Sequence, residues 1–299
     1  MKKALVLYSG GLDSKLVIEI LKEQHFQITA LHFKLPFGCS CSDKISVPDF
    51  EKNKIKLEII DVNKEPFLSE YLEIVKNPKF GRGVGINPCK DCKIFMFKKA
   101  GEYAKKNKID VIATGEVLGQ RPMSQVSHAM KTIDDELDFE ILRPLSALNL
   151  EETKYEKNRL VDRNKLFAIS GRRRSEQIAL AKKFNIKFPT PGGGCFLCEK
   201  IPSKKIHYLL ENNLIDGKTL KLITIGRHFK INDCWFVVAR NEKESIIIAS
   251  FKNSIKGSTG KPSIYFDKKS EKQKALELQT AYSTGDNENK RNKFSKFKI

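Results

Sequence analysis

The sequence has no long apolar run. After a basic tip, the stretch Ala4 to Tyr8 is five residues long and stops at polar Ser9. That is far short of a signal-peptide core or a membrane span, so the expectation is a cytoplasmic protein with no membrane partner. There are no internal repeats, which excludes a solenoid or propeller. Acidic residues are in deficit: 36 Asp and Glu face 55 Lys and Arg, a formal charge of +19. A surplus of this size suits a polyanion, although a lysine-rich composition would give the same total. The missing export signal also argues against a disulfide framework for the seven cysteines, because the cytosol keeps thiols reduced.

The 299 residues, 40% of them hydrophobic, suffice for a nucleotide-binding domain and one smaller module. Ala4 to Tyr8 reads as a buried parallel strand, and Ser14 to Gln24 has helical periodicity. Further strands at Ile28 to Phe33, Leu57 to Ile60 and Asp110 to Ala113 alternate with helical stretches, notably Cys89 to Lys106. Helices are predicted at Leu150 to Arg163 and Ser175 to Phe184. The expected fold class is α/β, a doubly wound parallel sheet over residues 1–200. Residues 201–280 read as a small α+β module, with strands at Lys221 to Ile225, Cys234 to Ala239 and Ser245 to Ala249 and a helix near Glu271 to Gln279. The polar, basic stretch 281–299 reads as a mobile tail.

Between the first strand and helix stands Ser9-Gly10-Gly11-Leu12-Asp13-Ser14. Glycines there let backbone amides and a helix N-terminus close on an anion. No Lys-Ser or Lys-Thr follows the glycines, as a Walker loop requires, and no GxGxxG is present. A bland reading is a glycine turn with Ser14 as a cap. The six residues match the PP-loop of the ATP pyrophosphatase superfamily, an adenine nucleotide alpha hydrolase-like fold. The resemblance implies that the loop holds the pyrophosphate end of ATP, that Asp13 helps to hold Mg2+, and that a substrate oxygen is adenylylated.

The cysteines fall in patterns: Cys89 and Cys92 form one CxxC, Cys195 and Cys198 another, Cys39 and Cys41 a CxC, and Cys234 stands alone. Such spacing favours metal, cluster or sulfur chemistry. Asn87-Pro88-Cys89-Lys90-Asp91-Cys92 resembles the NPxxxC segment of tRNA 2-thiouridylases, with Cys92 on their shared cysteine. Thr114-Gly115-Glu116-Val117-Leu118-Gly119-Gln120, with Ser124-Gln125, resembles the TGExLGQ...SQ segment of the tRNA 4-thiouridine synthetase family and adds Gly115 and Gln120 to the nucleotide-binding candidates. Pro191-Gly192-Gly193-Gly194-Cys195 is similar to the segment that carries a second functional cysteine in stand-alone relatives. These resemblances cover residues 1–200 and imply ATP-dependent thiolation of a transfer RNA uridine, with Asp13, Cys92 and Cys195 as catalytic residues. The sulfur donor would be a cysteine desulfurase or free sulfide. Three readings of the thiols stay open: a [4Fe-4S] cluster on Cys89, Cys92 and Cys195; no metal, with Cys195 as persulfide carrier and Cys92 as resolving thiol; or structural Zn2+ with Cys198 as fourth ligand.

Residues 200–299 hold 21 Lys or Arg against 10 Asp or Glu, a surplus of +11 in one third of the chain. There Ile225-Gly226-Arg227-His228-Phe229 and Val238-Ala239-Arg240-Asn241 resemble segments of the NFACT RNA-binding domain. The resemblance implies a module that grips RNA phosphates. Phe229 is a stacking or a core residue, and Arg172-Arg173-Arg174 a phosphate contact or a helix start. His32 and Phe33 lie where such folds place adenine. The chain starts eight residues before the loop, so a separate N-terminal RNA-binding region is not expected, and uridine 8 and the wobble uridine both remain open as targets. A homodimer is left open. The competing readings are an amide- or nitrile-forming PP-loop ligase with structural zinc, which has no use for a basic module, and a non-catalytic RNA-binding protein, in which the loop should have decayed.

Overall fold

The computed structural model describes residues 2–38, 50, 55–188 and 195–299. The chain divides into two compact units, Met1–Glu199 and Lys200–Ile299.

Unit 1 is built on a four-stranded parallel sheet of β1 (Lys3–Leu7), β2 (Gln27–Lys34), β3 (Lys56–Asp61) and β4 (Val111–Thr114), ordered β3-β2-β1-β4. The registers pair Leu5 with Thr29 on one side and with Ile112 on the other. β1, β2 and β4 read as near-continuous apolar runs, as strands covered on both faces must. Helix α1 (Leu12–Lys22) buries Leu12, Leu16, Val17, Ile20 and Leu21 in the core cluster that also holds Ala4, Val6 and Ala113. Truncating Leu16, fully buried there, to alanine costs about 2–5 kcal/mol. α2 (Phe67–Lys76) and α3 (Cys89–Asn107) follow, and Lys108 ends α3 in the left-handed region, φ +52°. α4 (Ser127–Asp134) and α6 (Ser175–Lys183) complete the helical cover, with α5 (Lys154–Lys157) a single turn between them. The chain leaves β1 toward β2 and β3 and returns to β4 on its other side, so the strand order reverses at β1. The crevice at the carboxyl ends of β1 and β4 is the switch point where α/β sheets bind ligands.

The helix predicted at Leu150 to Arg163 does not form. Thr153 and Glu156 make a capping box that starts α5, but Arg159 adopts φ +57° and the helix stops after one turn. Arg163 then holds the loop down, bonding Glu156 and the carbonyls of Ala147 and Leu150.

Unit 2 is an antiparallel sheet of β5 (Arg227–Ile231), β6 (Cys234–Val238), β7 (Ser254–Ile255) and β8 (Ile264–Phe266), ordered β5-β6-β8-β7. α7 (Lys200–Glu211) and α8 (Leu220–Ile223) precede it. Phe229, Phe236, Val238, Ile264 and Phe266 pack with Ala275, Leu278 and Ala281 of α10 (Lys272–Ala281). Two predicted strands are helices. Residues 220–223 form α8, and the strand starts only after Gly226, whose φ is +74°. Residues 242–249 form α9 (Glu242–Ala249), begun by the Asn241 side chain, which accepts from the Glu244 amide at 3.0 Å. A good N-cap outweighs the β propensity of Ile246, Ile247 and Ile248.

The stretch 281–299 is folded, contrary to its polar composition. It carries α11 (Glu288–Ser295), whose Phe294 is buried in the unit 2 core. Beyond it the Lys230 amide donates to the Phe297 carbonyl at 2.9 Å and Lys298 bridges Phe229. Two aromatic side chains anchor a segment that hydropathy alone reads as free.

Candidate active site

Ser9, Gly10 and Gly11 make the turn from β1 into α1, and Leu12, Asp13 and Ser14 form the helix's first turn. Gly10 has φ +78°, a conformation that L side chains avoid. The N-cap, Gly11, brings no side chain to the helix end, so the first-turn amides stay available to an anion. Ser14 Oγ donates to the Gly11 carbonyl at 2.9 Å, and the Gly11 amide donates to Ser9 Oγ at 3.4 Å, closing the turn. Leu12 points into the core at 1% exposure, leaving only its backbone for a ligand.

The segment after β4 lies against this turn. A Cβ on Gly115 would stand 2.7 Å from Asp13 C and Ser14 N, so only glycine permits the approach. Gln120 Nε2 donates to Asp13 Oδ2 at 3.0 Å, and Gln177 Nε2 donates to Gln120 Oε1 at 3.3 Å. Arg174, at the N-terminus of α6, brings Nη2 to 4.0 Å from Asp13 Oδ1, while Arg172 and Arg173 are exposed. Asp13 Oδ1, Arg174 Nε and Gln177 Oε1 are buried without a hydrogen-bond partner among the described residues. Buried polar atoms left unpaired cost about 1–3 kcal/mol each. An acceptor beside a donor at a phosphate-sized turn fits a cation and a polyphosphate together. Gln177 was invisible in the sequence, where it reads as one more helical residue.

Cys89 opens α3 and Cys92 follows one turn later. The Cys89 thiol accepts from Asn87 Nδ2 at 3.1 Å, and the Cys92 thiol lies 3.4 Å from Tyr71 Oη. The Cys195–Cys198 turn is drawn to the same place by backbone bonds: the Ile86 amide to the Leu197 carbonyl and the Phe196 amide to the Phe37 carbonyl, both 3.0 Å. The four thiols therefore act on one another. Burial pushes the Cys92 thiol up to about 11 and Cys195 up to about 12, each raised further by neighbouring cysteines. Burial raises Cys198 too, with Cys89 as the next cause. The donors are soft sulfurs of the kind that suit iron–sulfur clusters or zinc. Among the described residues, no three Cys, His, Asp or Glu side chains stand in a metal-holding group. Cys39, Cys41 and Pro191 to Gly194 lie outside the described residues.

Glu116 joins the two regions. It follows Gly115, is 1% exposed, and is paired to Lys93 Nζ at 3.2 Å and Arg143 Nε at 3.0 Å. Lys93 follows Cys92 on α3, and Arg143 forms two further bonds to Asp134, at 2.8 and 2.7 Å. Burial raises the Glu116 carboxyl, but Lys93 and Arg143 outweigh it and hold the group below the ordinary carboxylate range. One link of two residues thus touches the phosphate turn through Gly115 and the cysteine helix through Glu116. Glu116 stood inside a recognised motif, yet nothing in the sequence named Lys93 and Arg143 as its partners.

Other sequence candidates take structural positions. His32 is buried with Nδ1 2.8 Å from the Tyr8 carbonyl, and Phe33 is buried. In unit 2, Phe229 is fully buried in the core, and Cys234 is buried with Sγ 2.8 Å from Asp267 Oδ1. Arg240 is bound by Glu244, which also accepts from the Gly226 amide at 3.1 Å.

The profile of the family described as thiamine biosynthesis protein (ThiI) matches residues 1–160. A tRNA-specific 2-thiouridylase of Petrotoga mobilis is 32% identical over 39% of this chain and 36% of its own length. A probable tRNA sulfurtransferase of Oceanobacillus iheyensis is 29% identical over 50% of this chain and 36% of its own. An Enterococcus faecalis tRNA-specific 2-thiouridylase is 26% identical over 80% of this chain and 69% of its own. The chain thus spans little more than a third of the first curated relatives it matches. Among the described residues, no helix is long and apolar enough to cross a membrane.

Proposed function

Because the chain belongs to the thiamine biosynthesis protein (ThiI) family, we propose that it activates a uridine carbonyl oxygen of transfer RNA with ATP and replaces that oxygen with sulfur. The observation that carries this reading is the Gly115–Glu116 link, which ties the phosphate turn to the cysteine helix. Sulfur insertion needs an oxygen made into a leaving group and a sulfur held close by, and a fixed connection between the two stations supplies that proximity.

In the proposed reaction the uridine oxygen attacks the α-phosphorus of ATP and pyrophosphate leaves. Sulfur then adds to the activated carbon and AMP leaves. Amides of the Ser9–Ser14 turn hold the phosphates, Asp13 Oδ1, which has no hydrogen-bond partner among the described residues, would hold Mg2+, and Arg174 offsets the charge growing on the pyrophosphate. Gln120, fixed by Gln177, keeps the Asp13 carboxylate in place. Cys89, Cys92 and Cys195 match a [4Fe-4S] cluster in donor type, not in their present spacing, and such a cluster, if bound, would supply a site for incoming sulfide. The convergence of Cys198 on Cys89 favours a second reading, a four-thiolate zinc site. The sulfur donor is a desulfurase or free sulfide, and the basic surplus of unit 2 serves RNA binding in the manner of an NFACT module.

The test incubates anaerobically purified protein with transfer RNA, ATP, Mg2+ and sulfide, and follows thiolated RNA on mercury-containing gels together with AMP. Asp13→Asn should abolish both products, whereas Cys92→Ala should abolish thiolation. Thiolation by Asp13→Asn at the wild-type rate would overturn the proposal. About four iron and four sulfide per chain would support the cluster, and one zinc without sulfide would support the second reading.

A further inference from the structure

Of the RNA-like segments noted in the sequence, only Arg227 keeps a charge without a carboxylate partner among the described residues. Phe229 and His228 are buried, and the Arg240 charge is neutralised by Glu244. The unspent charge lies elsewhere. Lys290, Arg291, Lys293, Lys296 and Lys298 are all exposed, no acidic residue interrupts 290–298, and none of the five has a carboxylate partner among the described residues. The segment is held along β5 by the Lys230 amide to Phe297, the Ile299 amide to the His228 carbonyl at 3.1 Å, and the Phe229–Lys298 bridge. A composition that reads as a free tail is thereby fixed as a positive edge of a folded sheet.

Arg227 extends this edge beside Arg291. Arg227 and Arg291 lie over the ring of Tyr282, with Cζ at 5.4 and 5.8 Å from its centroid. Both are held by neutral carbonyls: Arg227 donates to Ala239 at 3.3 Å, and Arg291 to Ala281 at 3.0 Å and Ser283 at 3.3 Å. Carbonyl partners fix the side chains without cancelling their charge, so the entropy of ordering is already spent before an anion arrives. Like charges gathered this way repel one another unless a polyanion sits against them.

We infer that residues 290–298 together with Arg227 form the edge on which unit 2 grips the phosphate backbone of RNA. This rests on the RNA-directed reading of the chain and adds the surface that reading lacks. A lipid surface fits less well. A helix that lies in a membrane interface shows an exposed apolar face, whereas Phe294, the apolar residue of α11, is turned into the core.

The experiment measures binding of the full chain to unmodified transfer RNA across a KCl series, without ATP or a sulfur source. Failure of thiolation therefore cannot be mistaken for failure of the edge. Each phosphate contact contributes about 0.9 to the slope of log affinity against log salt. Carried from 1 M to 0.15 M salt, that is about fivefold per contact. The triple variant Lys293→Ala, Lys296→Ala, Lys298→Ala should lose about a hundredfold in affinity at 0.15 M, and its slope should fall by about 2 to 3. The corresponding triple arginine variant should bind as wild type, and circular dichroism should show both folded. Unchanged affinity and slope in a folded triple alanine variant would overturn the inference. So would tighter wild-type binding to phosphatidylserine vesicles than to transfer RNA at the same salt.

Discussion

Glu116→Gln removes one charge from the link between the phosphate turn and the cysteine helix. In the wild type the carboxylate is 1% exposed and faces Lys93 Nζ at 3.2 Å and Arg143 Nε at 3.0 Å. Removing one partner of a buried ion pair costs about 3–5 kcal/mol, because the other charge is left uncompensated. The lower end applies here: Arg143 keeps its two bonds to Asp134, and the Lys93 side chain, 23% exposed, can turn to water. About 3 kcal/mol at 2–4 °C per kcal/mol lowers Tm by about 6–12 °C. Thermal unfolding followed by circular dichroism at pH 7 measures this directly. The pH dependence supplies a second check. The folded carboxyl lies below its unfolded value of about 4.3, so its stabilisation is complete above that pH and is lost as pH falls through the folded pKa. The wild type should therefore show an acid loss that Glu116→Gln largely lacks. A Tm within about 2 °C of wild type, with the same acid limb, would refute the reasoning.

Gly115→Ala should raise the KM for ATP by about tenfold or more, since its Cβ would meet backbone at 2.7 Å and the phosphate turn must move; equilibrium ATP binding tests this, and wild-type affinity would contradict it. Phe294→Ala should destabilise unit 2 by about 3 kcal/mol and expose the Lys230 amide, bonded to Phe297, to rapid hydrogen exchange. Burial depresses the Lys205 amine to about 7, with Arg240 as the second cause. Trp235 Nε1 donates to His228 Nδ1 at 3.0 Å, so Nε2 carries the ring proton, 2.8 Å from both the Ile225 carbonyl and Lys205 Nζ, an arrangement that suits a neutral amine. The unfolded chain then binds the extra proton between about pH 7 and 10, so stability should rise with pH across that window. Urea unfolding of Lys205→Met should lose the rise, and a slope equal to wild type would sink the assignment.

The sequence alone determined the opening of unit 1. The apolar run 4–8, the glycines at 10 and 11 and the periodicity after them allow one local structure, because strand, turn and helix each have a pattern set by neighbouring residues. The same locality made the phosphate candidates legible, along with helices α3, α6 and α10. It failed where a single residue outweighs a pattern: Asn241 turned an isoleucine run into α9, Arg159 cut a helix to one turn, and two phenylalanines folded a stretch that composition assigns to solvent. Only the tertiary structure decided which separated groups meet. Arg174 and Gln177 reach Asp13 and Gln120, Lys93 and Arg143 hold Glu116, and Cys195 and Cys198 are drawn to Cys89 and Cys92. Those pairings depend on strand order and on backbone bonds between distant loops, which carry no signature in sequence spacing. The physical reason is that a buried charge or thiol is defined by what surrounds it, and its surroundings come from parts of the chain tens of residues away.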